Sequence, residues 1–255
     1  MEQQRRLSRK KLRSRKRINW GPIFVVLLTI NVFFACYFSK VTAIRSINLD
    51  GVRNSERLRL NRVASEIKGI PAMKVDPRVV ESPFMNETRV KSADFRRNIF
   101  GIGRLTILYR TAVASFTGAN HTFLDDSGVV FTDLEENSPM PSILLQSKIK
   151  VSVMALSGVI NYRQLSDLAQ MVRSNFPESI SGANPIEIEV QETGGVCLNM
   201  NSGIVILGTS EQLTEKIEKL KQVLAENPDI FKANSSINMM TPAHPQLNQR
   251  KKESG

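Results

Sequence analysis

The sequence predicts an α+β protein with a single N-terminal transmembrane helix, a small α+β unit and then a mixed, β-rich unit with two helices. Three observations predict this order. Residues 1–17 hold nine Lys or Arg and one acid, whereas residues 20–38 hold no charge. The remaining chain alternates short apolar runs of strand-like period with a few longer stretches of helical period.

The uncharged run has the length of a membrane-spanning helix. At about 1.5 Å per residue it reaches roughly 29 Å, close to the ~30 Å hydrocarbon core of a bilayer. The basic flank predicts a cytoplasmic tail and places the rest of the chain on the other side. A cleaved signal peptide is the alternative, but its apolar core is usually about 7–15 residues long. We expect a retained anchor whose side chains face lipid, among them Trp20, Phe24, Leu27, Leu28, Phe33 and Phe38.

The net charge of +11 is concentrated in the basic tail, residues 1–19. The rest of the chain is nearly neutral, so it lacks the basic stripe that a nucleic-acid-binding domain would carry. A tail of this kind is suited to anionic lipid headgroups. We therefore expect integral membrane association, with anionic lipid at the tail and no nucleic-acid partner.

Residues 42–114 predict a small α+β unit. A strand over 45–52 closes with Asp50-Gly51, and a helix after it ends at Gly69 and Pro71. A short helix begins at Asp76-Pro77. Two strands follow, over 89–98 and 104–113, joined by a glycine turn. We expect the helices to cover one face of a three-stranded sheet.

Residues 115–240 predict the β-rich unit, and residues 241–255 a disordered, polar tail. Asp125 to Gly128 is typical of a hairpin turn. The apolar spacing predicts two amphipathic helices and four strands. The helices cover 162–176 and 213–224, and the strands cover 186–190, 196–200, 204–207 and 235–239.

No constellation of residues predicts catalysis or cofactor binding. The chain has two His and two Cys, too few for the usual metal-ligand patterns. His121 lies near Asp125 and Asp126, but a surface histidine in a turn is the simpler interpretation than a Ser-His-Asp site. We expect no enzyme activity, no metal, no cofactor and no small-molecule substrate. Exposed strand edges favour a binding module, because they accept a partner's strand.

Several stretches resemble the FtsQ/DivIB family of bacterial cell-division proteins. Residues 44–52 are similar to the opening strand of its POTRA domain, and Phe123 to Phe131 to a family hairpin. The chain departs from the family at Tyr109 and Ala112, where the motif has Glu and Pro, and at 237–239, where many members have Ile-Asp-x-Arg. The positions that carry the likeness are Gly51, Arg110, Ala114, Asp125, Gly128, Gly208 and Lys216.

The resemblance implies a POTRA-like domain over 42–114, a β domain over 115–240, and a non-enzymatic role. The protein would be a bitopic scaffold of the divisome at the division site of the bacterial plasma membrane, with an extracytoplasmic C-terminal part. It would link assembly of the cytoplasmic division ring to septal wall synthesis by binding FtsB-like and FtsL-like partners. Strand addition near Ser236, Ile237 and Asn238 is the expected mode of binding. The alternative is a POTRA-bearing component of an export or outer-membrane assembly machine.

Overall fold

The computed structural model describes residues 20–146, 160–180, 185–201 and 203–249. The predicted basic tail, residues 1–19, lies outside the described residues. The chain divides into two compact units, one formed by residues 1–80 and 94–106 and the other by 81–93 and 107–255. The predicted domain boundary between residues 114 and 115 stays a prediction.

The apolar run forms helix α1, Trp20–Phe38, as the sequence predicts. Within residues 20–146, 160–180, 185–201 and 203–249, however, none of the helices combines the length and the apolarity that crossing a membrane requires. The prediction of a transmembrane helix is therefore wrong. At 19 residues α1 is near the lower end of the spanning range of about 17–25. Two polar side chains, Thr29 and Asn31, interrupt the apolar surface of α1, and they donate hydrogen bonds to the carbonyls of Val25 and Leu27.

The small α+β region that the sequence predicts over residues 42–114 is built on a three-stranded sheet in the order β1-β3-β2. Strand β1, Ser46–Asp50, pairs in parallel with β3, Ile102–Tyr109. Strand β2, Val90–Arg97, lies on the other side of β3. Two helices lie between β1 and β2 in the chain, α2 over Arg57–Ile67 and α3 over Pro77–Met85. The three strands and two helices predicted for this region are all present, each within a few residues of its expected bounds.

A nine-stranded mixed sheet forms the framework of the larger unit. Its spatial order is β12-β11-β10-β9-β8-β7-β4-β5-β6. The pairs β4/β7, β7/β8 and β10/β11 are parallel, and the other pairs whose register is defined are antiparallel. The strands are β4 Ala112–Phe116, β5 Thr122–Asp125, β6 Val130–Thr132, β7 Ser142–Leu145, β8 Glu187–Val190, β9 Val196–Met200, β10 Gly203–Gly208, β11 Asn234–Asn238 and β12 Gln246–Gln249.

Helices cover one face of this sheet. The two long helices, α4 over Tyr162–Asn175 and α6 over Leu213–Glu226, pack against each other, as their amphipathic patterns suggest. Their apolar side chains share one buried cluster with alternate residues of the central strands, such as Ile188, Leu198 and Val205. Two short helices, α5 over Pro177–Ile180 and α7 over Ile230–Ala233, were not predicted, because four residues are too few for a helical period to show.

Two further differences from the predicted elements concern strand ends. The strand expected over 104–113 is interrupted, since β3 ends at Tyr109 and β4 begins at Ala112. Part of the tail expected to be disordered is ordered as β12, over Gln246–Gln249. Residues 241–245 of that tail are also described, mostly as turns and bends, and residues 250–255 lie outside the described residues.

The N-terminus of α4 provides a test of local stability. Asn161 caps it by accepting a hydrogen bond from the Gln164 backbone N–H at 2.8 Å, and the Gln164 side chain bonds back to Asn161 N–H. We expect Asn161→Ala to lower the free energy of unfolding by about 1 kcal/mol, measured by urea denaturation. Gln212, which precedes α6 and caps it with no side-chain bond, is the matched control. Equal losses for Asn161→Ala and Gln212→Ala would contradict the capping account.

Candidate partner-binding edge

Four strands form the outer edges of the two sheets in the described part of the chain, namely β1, β2, β6 and β12. Strand β2 carries four charged residues along its length, and β1 ends in Asp50, which is paired with Arg104 at 3.3 Å. Charges of this kind discourage a second strand from joining an edge. Strand β6 is uncharged but has only three residues. Strand β12 has four residues and contains neither a charge nor a proline.

Strand β12 is held on one side by β11 and on the other side has no neighbouring strand among the described residues. The two strands are antiparallel, with Leu247 opposite Ile237 and Asn248 opposite Ser236. A side-chain bond reinforces the pair, because Asn248 Nδ2 donates to Ser236 Oγ at 2.9 Å. Leu247 is 48% exposed. The outward backbone groups of β12 are therefore positioned to accept a further strand.

The residues that the sequence predicted as the binding edge lie one strand further in. Ser236, Ile237 and Asn238 belong to β11, which pairs in parallel with β10 and in antiparallel with β12. Ile237 is fully buried in the core cluster. Asn238 Oδ1 accepts a hydrogen bond from the Met240 backbone N–H at 3.0 Å. The backbone of these three residues is thus already engaged on both sides, and the edge itself is β12.

A buried lysine fixes the end of the neighbouring strand β10. Lys216, on α6, is 2% exposed, and its Nζ donates to the carbonyls of Leu207 at 2.8 Å and Thr209 at 3.1 Å. Burial lowers the pKa of Lys216, and the nearby Glu211 opposes that change. The ammonium group satisfies carbonyls at the strand end, so it links α6 to the sheet next to β11.

A buried ion pair organises the opposite end of the sheet. The Arg110 guanidinium contacts Asp125, whose side chain is fully buried, and also donates through Nε to the Thr88 carbonyl at 2.9 Å. Asp125 further accepts bonds from Val129 N–H at 2.7 Å and from the backbone and hydroxyl of Ser127 at 2.9 and 2.8 Å. Burial alone would raise the pKa of Asp125, but these hydrogen bonds outweigh it and the pKa is lowered.

The same hairpin is attached to helix α4. Ser166 is fully buried, and its hydroxyl donates to the Asp125 carbonyl at 2.8 Å. Gly128 has a φ of +81°, and a Cβ there would lie 2.7 Å from the Arg163 backbone nitrogen. Glycine is therefore needed both for the turn and for the close approach of the helix. Sequence reasoning missed Ser166, because its partner is 41 residues away.

The seven positions that carry the family resemblance do not form one site. Arg110, Asp125 and Gly128 meet around the hairpin, as described above. Gly208 and Lys216 lie together at the end of β10. Ala114 is fully buried in the core of the larger unit, and Gly51 lies in the turn after β1. The arrangement stabilises the fold at several places and brings no reactive groups together.

A polar network on the sheet face opposite α4 and α6 was also missed. Glu189 accepts bonds from Gln146 Nε2 at 2.6 Å and from Asn199 Nδ2 at 3.0 Å, which joins β8, β9 and the end of β7. Burial, and then the charge of Glu189, raise the pKa of the neighbouring Glu187. The sequence predicted a strand over 186–190 but not the sheet order, so the partners of Glu189 on β7 and β9 could not be placed.

The described residues contain no group of three or more His, Cys, Asp or Glu that could hold a metal ion. His121 lies just before β5, with a φ of 56°, and its carbonyl accepts a hydrogen bond from Asp133 N–H. Its position gives no sign of a nucleophile–base arrangement. Cys197 is buried, and burial raises the pKa of its thiol.

Comparison with known proteins does not identify the family. The chain matches no protein-family model, and no curated protein is significantly similar to it.

The lowered pKa of Asp125 predicts an acid-sensitive fold. Its contribution to stability is present above the unfolded pKa of about 3.9 and is lost as the pH falls through that value toward the lower, folded pKa. We expect Asp125→Asn to lower the free energy of unfolding at pH 7 by about 3 kcal/mol, because it leaves Arg110 with a broken, partly buried pair. Denaturant titrations of the variant should also show a weaker dependence on acid pH.

Asp126 is the matched control for that experiment. It is adjacent in the chain and pairs with Lys91 at 2.9 Å, but both side chains are well exposed. Such a pair contributes at most about 1 kcal/mol. If Asp126→Asn and Asp125→Asn had the same effect on stability and on its acid dependence, Asp125 would not have the role assigned to it.

Proposed function

We propose that this protein is a non-enzymatic scaffold of the bacterial cell-division complex that binds its partners by strand addition at β12. Its place is the division site, where it connects assembly of the division ring with septal wall synthesis. The partners are small FtsB-like and FtsL-like proteins. The observation that carries the proposal is the uncharged, proline-free outer edge of β12 at the end of a nine-stranded sheet.

The chemistry of this edge suits an extended segment of a partner. Backbone N–H and C=O groups directed away from β11 supply affinity for any strand, whatever its sequence. Selectivity would come from the side chains beside them, of which Leu247 is apolar and Gln246 and Asn248 are hydrogen-bonding and exposed. A partner strand with alternating apolar and amide side chains fits this pattern.

The state of the buried ionisable groups in the described residues supports a non-enzymatic role. Asp125 and Lys216, both buried ionisable groups, are each occupied by structural hydrogen bonds. Glu189, on the sheet face opposite α4 and α6, is engaged by Gln146 and Asn199. These groups hold elements together, so they support a scaffold more readily than a catalyst.

The assignment to cell division rests on the resemblance in sequence to the FtsQ/DivIB family. Two stretches of that resemblance, around Arg110 and Asp125, contact each other in the structure. A third, around Gly208 and Lys216, supports the strands beside the proposed edge. The resemblance therefore involves residues that shape the larger unit and its edge.

Proline substitutions in β12 test the mode of binding. Successive residues of an antiparallel strand direct their backbone groups to opposite sides, so one of Leu247 and Asn248 has its N–H directed away from β11. Proline at that residue removes an outward donor and leaves the pairing with β11 in place. We expect it to abolish co-purification of the FtsB-like partner with little change in the melting temperature.

The other substitution of the two removes an N–H directed at β11 and should lower the melting temperature as well. Val130→Pro, on the edge strand β6 at the far end of the same sheet, is the matched control and should leave partner binding unchanged. Full binding by both β12 variants would refute strand addition at this edge.

Localisation tests the cellular part of the proposal. A fluorescent fusion of the full chain should accumulate at midcell during constriction, because its partners are concentrated there. The fusion carrying the outward-directed proline should lose midcell fluorescence while its abundance, measured by immunoblot, is unchanged. A uniform distribution of the unaltered fusion in dividing cells would contradict a role in division.

A further inference from the structure

The β2–β3 hairpin of the smaller unit has a short apolar tip. Ile99, Phe100 and Ile102 are 54%, 73% and 44% exposed. Single exposed apolar side chains are common, but three within four residues at the end of a hairpin are not an ordinary solvated turn. We call these three residues the hairpin tip.

The tip is rigid. Asn98 Oδ1 accepts hydrogen bonds from the backbone N–H groups of Phe100 at 3.0 Å and Ile102 at 2.9 Å, and Asn98 N–H donates to the Ile102 carbonyl at 3.0 Å. Gly101 has a φ of +80°, and a Cβ there would lie 2.2 Å from the Ala43 carbonyl oxygen. The turn is therefore fixed against residues 43–45 with its apolar side chains directed outward.

The loop after α2 extends the apolar surface. Ile44 N–H donates to the Ile70 carbonyl at 3.0 Å, and Arg45 N–H donates to the Gly101 carbonyl at 2.7 Å. The loop after α2 and the hairpin tip are therefore both hydrogen-bonded to residues 44–45. Ile70 and Met73 in this loop are 38% and 41% exposed. The tip is thus part of a small platform of backbone-anchored, exposed apolar side chains.

Basic residues flank the hairpin tip in the chain. Arg96 and Arg97 precede the tip and Arg104 follows it, whereas Asp94 is the one acid in residues 94–104. Arg104 also pairs with Asp50 at 3.3 Å, and both of these side chains are exposed. Arg96 pairs with Asp94 at 2.7 Å, but both side chains are exposed, so the pair is weak and easily exchanged. Lys74 lies over the rings of Tyr37 and Phe38, at 5.4 and 4.4 Å from their centroids.

We propose that the hairpin tip inserts into the surface of a membrane that contains anionic lipids. An apolar end with bases at its margin matches the boundary between acyl chains and negatively charged headgroups. Charge complementarity favours a lipid surface over a protein groove, because Arg96 and Arg97 precede the apolar end and Arg104 follows it within three residues. The contact is peripheral and independent of the edge formed by β12.

A tryptophan probe tests the insertion in the full chain. Trp20, the only tryptophan, is replaced by Phe, and Phe100→Trp then places the probe at the tip. The vesicles contain phosphatidylcholine with roughly one phosphatidylglycerol in three, and the phosphatidylcholine carries bromine on its acyl chains. We expect the emission of the tip probe to shift to shorter wavelength and to be quenched by the brominated lipid.

Val79→Trp in the same Trp20→Phe background is the matched control, because Val79 is 67% exposed on α3. Both variants carry the same α1 and the same basic tail, so any effect of those segments on vesicle binding is common to the two. The probe at position 79 should keep its emission in water and escape quenching. Arg96→Gln with Arg97→Gln should lower the inserted fraction at the tip by up to about 30-fold, from about 1 kcal/mol for each base.

Three results would overturn the proposal. The first is a tip probe that stays unquenched in the anionic vesicles. The second is equal quenching in vesicles of phosphatidylcholine alone, which would remove the role of charge. The third is a tip that is shielded only when a partner protein is added, which would make it a protein interface.

Discussion

A sheet that does not close on itself must leave backbone hydrogen-bonding groups unpaired at its ends, and this constraint decides what the larger unit can do. Burial of the inner sheet face beneath α4 and α6 fixes the central strands, including Ile188, Leu198 and Ile237. That core sets the position of β11, and β11 in turn sets β12. The position of β12 as the outermost described strand is thus a consequence of how the core is packed, and the proposed binding depends on it.

The buried Arg110–Asp125 pair shows how buried polar groups hold neighbouring elements of the larger unit together. An isolated buried charge is costly, but Asp125 receives bonds from Ser127, Val129 and Arg110, so its charge is compensated. The pair lies where the chain passes from β3 to β4, and it anchors the hairpin that Ser166 attaches to α4. Toward the other end of the sheet, Lys216 attaches α6 to β10 through its hydrogen bond to the Leu207 carbonyl. Both groups are stable contacts that need no ligand.

The sequence was most informative where burial follows a regular period. The apolar spacing of α4 and α6, the alternation in β8 and the turn from Asp125 to Gly128 all gave their elements within a few residues. Strand β12 was missed because Gln246-Leu247-Asn248-Gln249 has no apolar period, and its extended form comes from pairing with β11. For that reason the candidate edge was placed one strand too far inside. Helix α1 was predicted as a helix, but its membrane-spanning character was not supported.

The most direct test of the central claim is amide hydrogen exchange along β12 in the full chain, with and without the FtsB-like partner. Backbone amides of Gln246–Gln249 that face away from β11 should exchange quickly in the free protein and become protected when the partner binds. Strand β6, at the far end of the sheet, should show no such change. Protection confined to another part of the chain, with unchanged exchange in β12, would contradict strand addition at this edge.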